Sequence, residues 1–161
     1  MPTVAPIDLD DHCLATVFLD DVPVFALASG QVVRLDHGTH RHELHDGLIA
    51  TAVSWDGKSL ISGGEDGKVM RLEADGTETT LRGPARKWVS AVAAGPQSAV
   101  AFADGKTATV LLADGTERTF EEARTIEGLA FAPKGLRLAM ARYNGVSVSY
   151  THLTLPTIYS V

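Results

Sequence analysis

The stretch Leu60-Ile61-Ser62-Gly63-Gly64-Glu65-Asp66-Gly67-Lys68-Val69-Met70-Arg71-Leu72 reads as two short strands joined by a tight turn. Leu60 and Ile61 before the turn, and Val69, Met70 and Leu72 after it, supply apolar strand residues. Glu65-Asp66-Gly67 supplies the turn, because Asp hydrogen-bonds its own backbone and Gly accepts a positive φ. Gly63 and Gly64 read as further turn glycines. A lone hairpin cannot bury its faces, so it needs neighbours. The rest of the chain supplies weaker copies of it.

Three markers give the copies a common period. Ala74-Asp75-Gly76-Thr77-Glu78 recurs as Ala113-Asp114-Gly115-Thr116-Glu117, 39 residues on. The turn glycines Gly30, Gly67, Gly105 and Gly145 follow one another at 37, 38 and 40 residues. A third marker aligns Ala52-Val53-Ser54-Trp55 with Ala91-Val92-Ala93-Ala94 and with Leu129-Ala130-Phe131-Ala132. In the second copy, strands are expected over 49–55, 59–62, 68–72 and 77–81. Four strands in about 40 residues is the pattern of a propeller blade, and no segment sustains apolar residues at a helical period. Residues 117–124 form the best helical candidate, and the repeat alignment overrides it.

The second copy resembles the WD-repeat β-propeller family. His45 stands where the family's Gly-His pair places its His, and Ser62 and Asp66 match the positions whose side chains tie each family blade together. Asp66-Gly67 matches the family's turn. The Trp-Asp dipeptide is missing, and Leu72-Glu73 occupies its place. The resemblance implies structural roles for His45, Ser62, Asp66 and Gly67. The expected fold is all-β: a partial propeller of about three to four four-stranded antiparallel blades, with units over 7–42, 43–82, 83–121 and 122–147.

From Val148 the repeat register is lost. Val148-Ser149-Tyr150-Thr151-His152-Leu153-Thr154-Leu155-Pro156-Thr157 resembles the conceptual translation of a transposon-derived sequencing adapter. Residues 148–161 are therefore expected to be non-native, and further blades to follow in the intact protein. Propellers close by pairing the last blade with the first, and commonly have about 4 to 8 blades. A shorter run is expected to self-associate through an open blade edge.

The 161-residue chain is 45% hydrophobic and 21% charged, the balance of a folded domain. Its net charge of -6 disfavours nucleic acid and anionic membranes as main partners. The amino terminus lacks a basic start and an apolar run, so the expected location is cytoplasmic. Cys13 is the single cysteine, which excludes an internal disulfide and any cysteine-cage metal site; beside Leu14 and Val17 it reads as a small core residue.

His37, His40, His42 and His45, with Asp36, Glu43 and Asp46, are the most tempting metal cluster, since alternation would put His40 and His42 on one strand face. The segment falls between blades and no matching ligands recur, so solvated loop is the better reading and no metal or cofactor is expected. The paired acids Asp10-Asp11, Asp20-Asp21 and Glu121-Glu122 sit at apparent turns and read as solvated surface. No Gly-x-Ser-x-Gly turn or phosphate-binding glycine loop occurs.

What remains is loop presentation. Glu65, Arg86, Lys87, Trp88, Arg124, Arg142, Tyr143 and Asn144 fall in loops that would gather at one end of the disc. Arg, Trp and Tyr are the types that anchor protein interfaces. Arg86-Lys87-Trp88 leads the set; alternatively Trp88 is a core strand residue and the two cations solvate the turn before it. The expected function is a non-enzymatic scaffold that binds another protein through its loop face. The alternative is a propeller enzyme or a small-ligand or metal binder that uses the central channel or the 37–45 histidines.

Overall fold

The structure, a computed structural model, describes residues 5–150 and 157–160. Four four-stranded antiparallel sheets follow one another along the chain. The first holds β1 (Cys13–Leu19), β2 (Val22–Leu27), β3 (Gln31–Leu35) and β4 (Thr39–Glu43). The second holds β5 (Leu48–Val53), β6 (Ser59–Gly64), β7 (Val69–Glu73) and β8 (Glu78–Arg82). The third holds β9 (Val89–Ala94), β10 (Val100–Asp104), β11 (Thr107–Leu111) and β12 (Glu117–Glu121), with a short 3₁₀ turn at Pro96–Ser98. The fourth holds β13 (Ile126–Phe131), β14 (Arg137–Arg142), β15 (Gly145–Tyr150) and β16 (Thr157–Ser160). In every sheet the strands pair in chain order. Each sheet is one blade, as the repeat period requires.

The cores lie between the blades. Leu19, Val24 and Val32 of the first blade meet Leu60, Met70 and Leu72 of the second. Ile61 and Val69 of the second meet Val92, Val100 and Phe102 of the third. Ala101, Ala103 and Ala108 of the third meet Ile126, Leu138 and Met140 of the fourth. Strand alternation sends neighbouring residues to opposite faces, so Leu60 and Ile61, adjacent in sequence, serve different cores.

Several details differ from the sequence reading. Residues 117–121 are strand β12, as the repeat demanded over the helical pattern. The third repeat marker slips: Val53, Ala94 and Phe131 are the equivalent last pairs before the turn, matched with Leu60, Val100 and Leu138. Val53 is thus equivalent to Ala94 and Phe131 rather than to Val92 and Ala130, a slip of two residues in the third blade and of one in the fourth. Cys13 is exposed rather than core. A register shift between Cys13 and Ala15 takes it out of the alternation that turns Ala15 and Val17 inward.

Gly63 and Gly64 lie in β6 rather than in the turn. A Cβ on Gly63 would meet the Val89 side chain, and one on Gly64 would stand 2.6 Å from the Gly47 carbonyl oxygen and 2.7 Å from the His45 ring. Close approach, not backbone conformation, requires them. Gly67 does occupy the turn at φ +76°.

The tail singled out by its sequence is present in part: the backbone of 148–150 completes β15, and Thr157–Ser160 pairs with it, Ser147 opposite Ser160 and Tyr150 opposite Thr157. Residues 151–156 and 161 lie outside the described residues.

If the small residues are what lets the third and fourth blades approach, enlarging one must push them apart. Ala103 is 0% exposed in that interface. Ala103→Leu is expected to cost about 1–3 kcal/mol in urea unfolding, the range for overpacking a tight core.

Candidate functional site

His45, Ser62 and Asp66 come together at one end of the first two blades. His45 sits in the 44–47 connection, Ser62 in β6 and Asp66 in the β6–β7 turn. Nδ1 of His45 lies 3.1 Å from Asp66 Oδ1, and Nε2 lies 2.8 Å from Ser62 Oγ. The ionised carboxylate only accepts, so Nδ1–H donates to Asp66 and Nε2 accepts from the Ser62 hydroxyl. Asp66 also receives the backbone N–H of Asp46 and of Lys68, each at 3.0 Å.

The arrangement has the residue types of a nucleophilic relay. Its burial makes it a clamp instead: the His45 side chain and Ser62 are both 0% exposed. No substrate carbonyl can reach that hydroxyl. Burial pushes His45 below its ordinary value, outweighing the pull of Asp66 in the other direction. Burial alone would raise Asp66, but the two backbone N–H donors and His45 outweigh it and hold the carboxyl below the usual range. Leu72, where the resemblance would place a Trp, is fully buried against the first blade.

The other junctions carry polar clamps at the same place with different chemistry. Within the first blade, the segment ahead of β1 makes a related contact, Asp11 Oδ2 accepting the Ser29 N–H of the β2–β3 turn at 3.0 Å. At the end of β8, Arg82 Nη1 donates to Asp104 Oδ2 at 2.5 Å, its guanidinium also donates to the Gly67 carbonyl, and its Cζ stands 4.5 Å over the Phe102 ring. After β12, Glu122 lies 3.4 Å from Arg142 Nε. Arg82, Asp104 and Glu122 as clamps were missed in the sequence. Asp104-Gly105 stands in register with Asp66-Gly67 and is the one signal that pointed there.

Glu122 is also not the solvated acid expected, since its side chain is 7% exposed and paired. Arg142 is correspondingly held, at 20% side-chain exposure.

The remaining loop residues gather at this end. The Ala85 N–H donates to the Asp66 carbonyl at 3.0 Å, the Ile126 N–H to Gly105 at 2.8 Å and the Tyr143 N–H to Thr125 at 3.4 Å, so connections 83–88 and 122–125 interlock with the hairpin turns. Lys87 runs beside Gly105. Trp88 is 62% and Tyr143 61% exposed; Glu65, Arg86, Lys87, Arg124 and Asn144 are exposed as well. Trp88 is therefore a surface residue, not a core one.

The histidines diverge. His37 is fully solvated, His40 bonds the Asp36 carbonyl at 2.9 Å, and His42 lies 3.3 Å from Arg34 Nε. Among the described residues, no three His, Cys, Asp or Glu side chains come together as metal ligands. A polar cleft of about 260 Å³ opens beside His45, lined by Ser29, Gln31, Glu43, Asp46 and Lys68.

Comparison with solved structures places this architecture. The chain is similar to a chain in a crystal structure of the mitotic checkpoint complex, at 20% identity and a TM-score of 0.73, over 91% of this chain and 50% of that one. It is similar to the WD40 repeats of RRP9 at 16% identity and a TM-score of 0.73, over 95% and 52%. The fold is that of WD-repeat β-propeller blades. Virginiamycin B lyase from Staphylococcus aureus is similar too, at 15% identity and a TM-score of 0.70, over 96% and 57%. The chain thus spans about half the length of the propellers it matches. No protein-family model matches it, and no curated protein matches it.

The clamp predicts an acid-sensitive fold. His45 and Asp66 both release protons more readily folded than unfolded, so the unfolded chain gains protons first as pH falls. Stability is expected to be full above about 6.5, to decline as the unfolded chain protonates its histidine, and to decline again as Asp66 protonates below 3.8. His45→Ala orphans a buried hydroxyl and is expected to cost about 2 kcal/mol and to reduce the first decline, leaving the part that His42, also pushed below its ordinary value by burial, contributes; urea midpoints across pH check both.

Proposed function

We propose that the chain supplies blades of a non-enzymatic WD-repeat scaffold whose loop-bearing end engages another protein. The supporting observation is the crowding of exposed Arg86, Lys87, Trp88, Arg124 and Tyr143 onto interlocked loops at one end. Aromatic and Arg side chains offer wide contact area with directional bonds, and rigid loops lose little freedom on binding. One similar chain comes from a checkpoint complex, which agrees with a role inside an assembly.

A second reading, a small-ligand or enzymatic propeller, draws on the likeness to virginiamycin B lyase and would use the cleft at Glu43, Asp46 and Lys68. The nearby Ser62 hydroxyl is sealed, which weighs against nucleophilic chemistry there.

Affinity purification with Arg86, Lys87 and Trp88 all changed to Ala separates the readings. Because these side chains are exposed, the melting temperature is expected to stay put, within about 0.5 kcal/mol of stability per site, while partner recovery falls at least tenfold. Lys68→Ala is expected to leave the partner bound. An unchanged partner set for the triple variant contradicts the assignment.

A further inference from the structure

Arg34 of β3 and Arg71 of β7 hold the same place in their blades, four residues after the turn glycines Gly30 and Gly67, and each reaches toward the next blade. Arg34 is saturated there. Its Nε donates to His42 Nε2 at 3.3 Å, and its Nη1 donates to Asp36 Oδ2 at 3.2 Å and to the Ala74 carbonyl at 3.0 Å. Gly76 of the second blade closes over it, since a Cβ there would stand 2.5 Å from Arg34 Nη2. With its donors met, the Arg34 side chain is 7% exposed.

At the next junction the same arginine has lost that set. Its strand partner is Thr79, as His40 is for Arg34, and two residues further on Leu81 stands where His42 does. Among the described residues Arg71 makes one hydrogen bond, from Nη2 to the Ser98 carbonyl at 3.4 Å, and its buried Nε has no partner. Glu73, in the place of Asp36, and the Ala113 carbonyl, in the place of Ala74, therefore do not take up its donors. Gly115, the repeat counterpart of Gly76, has open space where a Cβ would stand. A cleft of about 350 Å³ lies there, at the end of the blades away from the clamped loops. Arg71 and Glu117 border it, and Leu81, Val100, Leu111 and Leu112 give it an apolar wall. A buried donor without an acceptor is rare enough in folded proteins to call for a reason.

We propose that this cleft binds a small aliphatic monocarboxylate, its carboxylate on Arg71 and its hydrocarbon against the leucines and Val100. The planar guanidinium fork matches a carboxylate through two parallel hydrogen bonds, and Nε–H is one of the donors such a pair uses. An apolar wall with a few polar groups at one side is the ordinary form of a small-molecule site. Local charge limits the ligand to a single negative charge. Glu117 borders the cleft, and Asp56 and Glu73 line a smaller one of about 80 Å³ that Arg71 also borders. A phosphate, with more charge and no hydrocarbon, would meet the repulsion of these acids and leave the apolar wall wet. The site is independent of the loop-end surface at Trp88, and either assignment can fail without the other.

Calorimetric titration of the whole chain with hexanoate at neutral pH tests this, with hexanol and inorganic phosphate as controls. Hexanoate is expected to bind saturably, one per chain, and about tenfold or more tighter than either control, because hexanol lacks the charge and phosphate the hydrocarbon. Arg71→Leu is expected to weaken hexanoate by about tenfold or more. Leu81→His keeps Arg71 but restores the partner that Arg34 has at the first junction, so it is expected to weaken hexanoate as well, and it carries the test if Arg71→Leu does not fold. Absence of saturable hexanoate binding, a control that binds as tightly, or a hexanoate affinity that survives either substitution in a folded variant overturns the proposal.

Discussion

Apolar burial between stacked sheets is what everything else here depends on. A four-stranded sheet of this length satisfies its backbone internally except at its edges, yet leaves both faces wet. The second and third blades solve this twice over, with Leu60 serving one core and Ile61 the next. Each fully buried Leu, Ile or Phe contributes about 1.5–3 kcal/mol relative to exposure. Stability therefore resides in junctions rather than in blades, the nearest-neighbour logic of repeat proteins.

The polar clamps sit at one end of those junctions and fix how the blades are set. His45 with Asp66, Arg82 with Asp104, and Glu122 with Arg142 each join the end of one blade's outer strand, or the connection after it, to the hairpin turn of the next blade. Their chemistry differs while their position does not. Such contacts contribute modestly as net energy, but leaving one partner buried alone is costly, so they select one arrangement of loops over others. The loops that carry Trp88 and Tyr143 are held by the same network, through Ala85 on Asp66 and Tyr143 on Thr125. Scaffold and candidate surface are in that sense one construction.

The architecture was legible because it is repetitive. The Ala-Asp-Gly-Thr-Glu identity and the glycine ladder each report a turn, and turns have strict residue requirements. The His45, Ser62 and Asp66 cluster was legible for the same reason, through a resemblance of spacing. Less legible were features set by partners distant in sequence. Gly63 looked like turn chemistry but is a packing glycine under Val89 of the next blade. Cys13 looked apolar by its neighbours, and a register shift turned it outward. Glu122 looked solvated until Arg142 was folded onto it. The exposure of Trp88 could not be read from sequence, because an aromatic beside a strand start fits core and surface equally.

If the faces between blades hold the fold, protection against exchange must follow how many faces a blade has covered. Native-state hydrogen exchange on single copies of the chain, at dilution, measures this directly. The account predicts that amides of β6 and β10, in blades stacked on both sides, exchange more slowly than those of β2 and β14, in blades stacked on one side. Equal protection in all four blades, or greater protection in the outer two, would contradict it.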